Sequence, residues 1–315
     1  MSDPQHDEQN PITPAPTKPL SKRSEALILA SAAIEAQPPD ELDYLHASFA
    51  HVALPRSRPS GTTFTRRFGS ALIHMSSGVL IRQGQTIEQP LPYGIRPRQF
   101  LIYATTTALK RNTREIELGH SMKELMLDKL GYKSVGGGKR GVQTSLKQQL
   151  YSLVACRMTL GWHERGRDIT EKCEIFTRLD DPTQWYTDQQ GTLWPATATL
   201  SSDYLNSIKA HAFPVDPRAI GALDSALAID IYCWLALRLH KLPKPLYLHW
   251  ASVRDQFGQD YSNSKDFKKA FELAMRDALM VYPAAKVESV DGGLMLKPSP
   301  SPIAPTRIAL SPPKP

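Results

Sequence analysis

Apolar residues in this chain recur at two spacings, helical and alternating, and glycine or proline marks most of the changes. From Pro97 to about Arg111 the spacing is helical, with Phe100, Leu101, Ala104 and Ala108 in register. Pro97 suits a first turn, where the N–H it lacks would have no partner. Arg114-Glu115-Ile116-Glu117-Leu118 then alternates as a short strand and stops at Gly119. Ser121 with Glu124 three residues on forms a capping box. The helix it opens carries Met122, Leu125, Met126 and Leu130 and ends at Gly131. Beyond Gly136-Gly137-Gly138 the pattern predicts a third helix over 139–154. Two alternating segments follow. Cys156, Met158, Leu160 and Trp162 share one face of the first, and Cys173, Ile175, Thr177 and Leu179 share one face of the second. Arg165-Gly166-Arg167-Asp168 forms a polar loop between them.

The same order returns later. A long apolar helix is predicted over 222–239, with Leu227, Ile231, Trp234, Leu235 and Arg238. A short helix from Trp250 closes at Gly258, and Ser264 opens another that runs to about Val281. Lys286–Val290 and Leu294–Lys297 flank Asp291-Gly292-Gly293, a hairpin signal. Helix, helix, helix, hairpin is winged-helix order. The expected fold is therefore α+β, with two tandem winged-helix domains over 23–190 and 191–297. Apolar runs at 71–75 and 78–81 predict strands, and 23–90 is grouped with the first domain, either as a simple N-terminal extension of it or as a dimerisation element. Proline is dense at both ends, with five of 26 in residues 1–20 and seven in 298–315, so 1–22 and 298–315 are expected to be disordered tails.

On a helical wheel, Val142, Leu146, Leu150 and Leu153 fall in one quadrant of the 139–154 helix. Arg140, Thr144, Lys147, Gln148 and Tyr151 fall opposite, with Lys139 at its start and no carboxylate among them. These side chains can reach DNA: Arg and Lys to guanine or phosphate, Gln to adenine, Thr and Tyr to phosphate or a thymine methyl. Arg165 and Arg167 make the loop after it a basic wing. In the 264–281 helix, Phe267, Phe271, Ala274 and Ala278 form the buried stripe. Lys265, Lys269, Glu272 and Arg276 face outward with Lys268 on the flank, an arrangement better suited to phosphate than to bases.

Charge sharpens this picture. Residues 106–167 hold twelve Lys or Arg against five Asp or Glu, an excess equal to the +7 of the whole chain. A basic segment that coincides with a reading-type helix points to nucleic acid. Catalytic and metal motifs are not found. Gly136-Gly137-Gly138-Lys139-Arg140 is no phosphate loop, since Lys133 stands where its first glycine belongs and Arg140 where Ser or Thr would bind magnesium. There is no HxH, HExxH or GxSxG, and three widely spaced cysteines form no zinc module. No enzyme, cofactor or metal is expected, and a polar N-terminus and unpaired cysteines point to the cytoplasm.

Leu91-Pro92-Tyr93-Gly94-Ile95-Arg96-Pro97-Arg98, followed by Arg114–Gly119, resembles the start of the conserved region of RepA-type plasmid replication initiators. Ala228–Leu235, Asp266–Phe271 and Val281–Val287 resemble further stretches of that family. The resemblance implies binding to repeated double-stranded origin sites (iterons), opening of adjacent A·T-rich DNA, and recruitment of the host initiator and replicative helicase. It also implies a dimer that represses and a monomer that initiates. Three alternatives stay open on sequence: a winged-helix transcriptional regulator, a nicking, rolling-circle initiator, and a protein-interaction scaffold whose basic face is incidental.

Overall fold

The computed structural model describes residues 21–69, 71–82, 84–132, 136, 141–164, 167–179, 186–187, 193–194 and 196–303. Residues 1–20 and 304–315, the greater part of the expected tails, lie outside the described residues.

The N-terminal segment begins with α1 (Lys22–Ala36), whose first turn is capped by Ser21. It continues through β1 (Asp43–His46) and α2 (Ala47–His51) to two antiparallel pairs, β2 (Thr63–Phe68) with β3 (Ala71–Ser76), and β4 (Val79–Arg82) with β5 (Gln85–Glu88). The strands expected at 71–75 and 78–81 are β3 and β4. Helix α3 (Ile95–Arg111) starts two residues before Pro97, with Gly94 at φ 80° as its N-cap and Asn112 in left-handed conformation as its C-cap. β6 (Glu115–Glu117) and α4 (Met122–Glu124) follow, the latter running on as a π-helical turn over Leu125–Lys129. Ser121 Oγ accepts from Glu124 N at 3.1 Å, and Glu124 Oε2 accepts from His120 N at 2.7 Å. The capping box is reciprocal, but its return bond reaches one residue beyond the cap.

Helix α5 (Val142–Ala155) leads directly into β7 (Arg157–Glu164), which turns back as β8 (Arg167–Cys173). The hairpin does not stand alone. β7 pairs with β3, giving one antiparallel sheet in the order β2-β3-β7-β8. The second alternating segment is not one strand. Cys173 ends β8, whereas β9 (Phe176–Leu179) leaves for another sheet. The chain turns at Glu174–Ile175, where Ile175 is buried and Phe176 stacks on Phe100 at 5.8 Å. Burial of this aromatic pair in the first-half core wins over continued alternation. Short β10 (Tyr186–Thr187) pairs with β11 (Leu193–Trp194), and β12 (Thr197–Leu200) lies between β6 and β9. Residues 197–200, expected in the second domain, thus complete a sheet of the first half.

Helix α6 (Ser202–His211), β13 (Ala212–Val215) and α7 (Pro217–Ala222) connect the halves, and β13 pairs with β1. The apolar helix predicted over 222–239 is α8 (Ala226–Arg238), buried from Leu227 to Leu237. A helix apolar all round must lie inside, and Leu235→Ala here removes buried methyls at a cost of ~2–5 kcal/mol. Then come β14 (Leu246–His249), α9 (Trp250–Phe257), α10 (Ser264–Met280) and the hairpin β15 (Val287–Val290) with β16 (Gly293–Leu296). β14 pairs with β16, so the sheet order is β14-β16-β15.

The C-terminal segment stays packed beyond Lys297, against expectation. Ile303 is buried, and Pro300 O accepts from the Tyr282 hydroxyl at 2.6 Å. A proline-rich stretch asks for few N–H partners, so one isoleucine and a few carbonyl contacts hold it. Cys156 and Cys233 are buried free thiols, and burial pushes Cys156 up to about 12. Among the described residues no helix is long and apolar enough to cross a membrane, and no His, Cys, Asp or Glu cluster could hold a metal.

Candidate nucleic-acid interface

α5 and α10 hold equivalent places. Each is the third helix of a set that α3 or α8 opens, and each is followed by a hairpin. Their ends are built differently. Gly141 at the head of α5 offers no capping side chain. Asn263 caps α10 by accepting from Asp266 N at 2.8 Å.

Helix α5 anchors through Leu146, Leu150 and Leu153, as its wheel predicts. It also buries a second side. Gln149 is 2% exposed and its Oε1 accepts from Tyr93 N at 2.7 Å. Tyr151, expected on the DNA-facing side, is only 6% exposed, so it is removed from that surface. At the helix end, the chain ahead of β4 comes close to the backbone of α5. A Cβ on Gly78 would sit 2.0 Å from the Ala155 carbonyl oxygen, so glycine is required there. The exposed part of α5 is its first two turns: Thr144, Ser145 and Gln148, with Lys147 half-buried. N-terminal residues are the ones that reading helices present to base edges.

Lys139, Arg140 and Arg165 lie outside the described residues. Arg167 takes the first position of β8, in register with Glu164.

On α10, Lys265, Lys268, Lys269 and Arg276 are all exposed, and Phe267, Phe271, Ala274 and Ala278 are buried as predicted. The cations are partly neutralised. Lys268 Nζ lies 3.8 Å from Glu272 Oε1 and 5.0 Å from the Trp250 ring centre. Arg276 Nε lies 3.9 Å from Asp277, a buried carboxylate that also binds Arg23 of α1. His249 is a helix cap, its Nδ1 accepting from Ala251 N at 3.1 Å.

Sequence reasoning missed the outer face of the four-stranded sheet. Thr63, Thr65 and Arg67 of β2 are exposed there, in register with Ser76, His74 and Leu72 of β3. Thr65 Oγ1 and His74 Nδ1 are 2.8 Å apart. Arg157 of β7 stands opposite Ser76 and lies 4.0 Å from Glu174. The signal was available: in Thr63-Phe64-Thr65-Arg66-Arg67-Phe68 the polar and apolar positions alternate up to Thr65.

Comparison with curated proteins gives no match. Among solved structures, the chain is similar to a selenomethionine derivative of domains 2 and 3 of RctB. Identity is 11%, with 80% of this chain and 97% of that chain covered, at a TM-score of 0.49. Residues 91–246, from the approach to α3 through α5 to the first residue of β14, match the family described as plasmid encoded RepA protein. Through this span, which carries α5, the chain is similar to the plasmid encoded RepA protein family.

Proposed function

We propose that this chain is a non-enzymatic plasmid replication initiator that reads repeated origin sites through two winged-helix units. The first comprises α3, β6, α4, α5 and the β7–β8 hairpin, and the second comprises α8, β14, α9, α10 and the β15–β16 hairpin. The observation that carries this reading is the recurrence of one element order, with an exposed third helix in each copy, inside a chain similar to the RepA family. Helix α5 enters one major groove, where Thr144, Lys147 and Gln148, with Lys139 and Arg140 ahead of them, meet base edges. Helix α10 enters a neighbouring groove, ~34 Å along the duplex, with Lys265, Lys268, Lys269 and Arg276 on phosphates. Arg165 and Arg167 give the first wing its grip on flanking phosphate. Binding at an array of sites opens adjacent A·T-rich DNA and delivers the host initiator and helicase, in the cytoplasm where the plasmid resides. A homodimer form represses the chain's own gene.

The test is self-maintenance. A circle carrying only this gene and its flanking DNA should replicate in a host that cannot otherwise copy it. Regulated transcription without maintenance would instead assign a transcriptional regulator.

A further inference from the structure

The junction between the two halves holds an unbalanced buried charge. Arg98 of α3 binds Asp230 of α8 through two contacts of 2.7 and 2.9 Å. Arg56 donates to the same carboxylate at 2.9 Å and to the Phe257 carbonyl at 2.6 Å. Arg66 of β2 grips Asp260 at 2.8 and 2.7 Å, and Arg56 reaches Asp260 at 3.3 Å. Every one of these side chains is at most 18% exposed. Three guanidiniums therefore share two carboxylates, and one positive charge is left without a counterion away from water. Arg56 Nη2 and Arg66 Nε are buried with no hydrogen-bond partner. Burial, then the charge of Arg56, pushes the Arg66 pKa down to about 10.

An open cleft of about 670 Å³ lies beside this junction. One wall is the end of β2, with Arg67. The other is α9 and the turn after it, with Ser252, Arg254, Gln259 and Tyr261. Gln259 Nε2 donates to the Arg67 carbonyl at 2.9 Å and ties the walls together. Arg66 and Asp260, the adjacent residues in sequence, are the buried pair just described, so the cleft inherits a fixed width. A Cβ on Gly258 would come within 2.5 Å of Arg254 Cγ, so glycine keeps the place that the arginine stem occupies. One carboxylate, Asp255, lines the cleft against these two outer arginines.

We infer that this cleft is a phosphate-binding site for the DNA backbone between the two grooves that α5 and α10 enter. A phosphodiester supplies one negative charge, the amount missing behind the cleft, and two free oxygens that guanidinium forks fit. Arg67 and Arg254 bind those oxygens, and the Ser252 and Tyr261 hydroxyls donate alongside. The site rests on the DNA-binding reading above, and it makes the spacing between the halves part of recognition.

The probe is duplex DNA flanking the gene, with a random duplex of equal length beside it. Affinity is measured over a salt series for the full chain, for R67A/R254A, for R67K/R254K, and for K209A/K241A, which removes equal charge elsewhere. The double alanine variant should bind both duplexes about 10-fold more weakly and lower the salt slope by about one or two, as lost phosphate contacts do. The lysine pair should keep most of the slope, and K209A/K241A should match wild type. Ethylation of one phosphate between the two protected grooves should block wild type and leave R67A/R254A unaffected. Wild-type slope and interference in R67A/R254A would overturn the cleft assignment alone. Absence of DNA binding by the wild-type chain would overturn the proposed function and this site together.

Discussion

Helices α5 and α10 sit at the same point of a repeated order, yet they offer different surfaces. α5 exposes only its first two turns, and the side chains there are mainly neutral hydrogen-bonding groups, Thr144, Ser145 and Gln148, beside Lys147. α10 exposes cations from Lys265 to Arg276 and sets Glu272 and Asp277 near two of them. Groups that both donate and accept suit base edges, whereas lysine ammonium groups act as point charges on phosphate. On the proposed reading, one element order serves two tasks: α5 is assigned the choice of sequence and α10 the hold on the duplex.

The largest break comes from the support that both helices share. Asp230→Ala strips Arg98 of its carboxylate, leaving a buried guanidinium unpaired between α3 and α8, and reduces Arg56 to its longer contact with Asp260. Losing one partner of such a pair costs ~3–5 kcal/mol, so denaturant unfolding should shift by that amount. A shift under ~1 kcal/mol would mean that water enters the junction and replaces the carboxylate.

Next comes discrimination. Gln148→Ala or Lys147→Ala should cost ~1–3 kcal/mol on the preferred duplex and little on random DNA. Lys265→Ala or Lys269→Ala should weaken both duplexes alike and lower the salt slope by about one. Competition binding at several salt concentrations separates the two patterns. Exchange of the patterns between the helices would reverse the assignment of tasks.

The smallest effects concern the caps. Asn263→Ala removes the bond to Asp266 N and should cost ~1 kcal/mol of stability, whereas Gly141→Asn should gain a few tenths. Thermal unfolding of the two variants tests this directly. A loss of stability in Gly141→Asn would show that something other than capping sets the difference.

From α8 onward the second half was legible almost element by element, because local signals punctuate it, whereas α6, β13 and α7 went unread. Gly258 ends α9, Asn263 precedes α10, and Asp291-Gly292 turns the last hairpin. Strand β14 escaped notice because Pro243 and Pro245 mark its approach as a loop and its partner β16 lies far along the chain. In the first half the misses are non-local. Alternation shows that β3 and β7 are strands, but not that residues near 73 pair with those near 160. Tyr151 was misplaced because a wheel assumes one packed side, and α5 is covered on two. The arginines at 56, 66 and 98 carry no sequence mark of burial. Only the fold brings Asp230 and Asp260 to them.

The most direct test is a hydroxyl-radical footprint of the full chain on the DNA flanking its gene, at ~0.15 M salt and against excess random duplex. The two-helix account predicts protection of paired segments, one helical turn apart, recurring at a fixed interval along the DNA. Selectivity over random sequence should reach ~10³-fold or more. A footprint limited to one groove segment per site, or binding that fades equally from all sequences as salt rises, would contradict it.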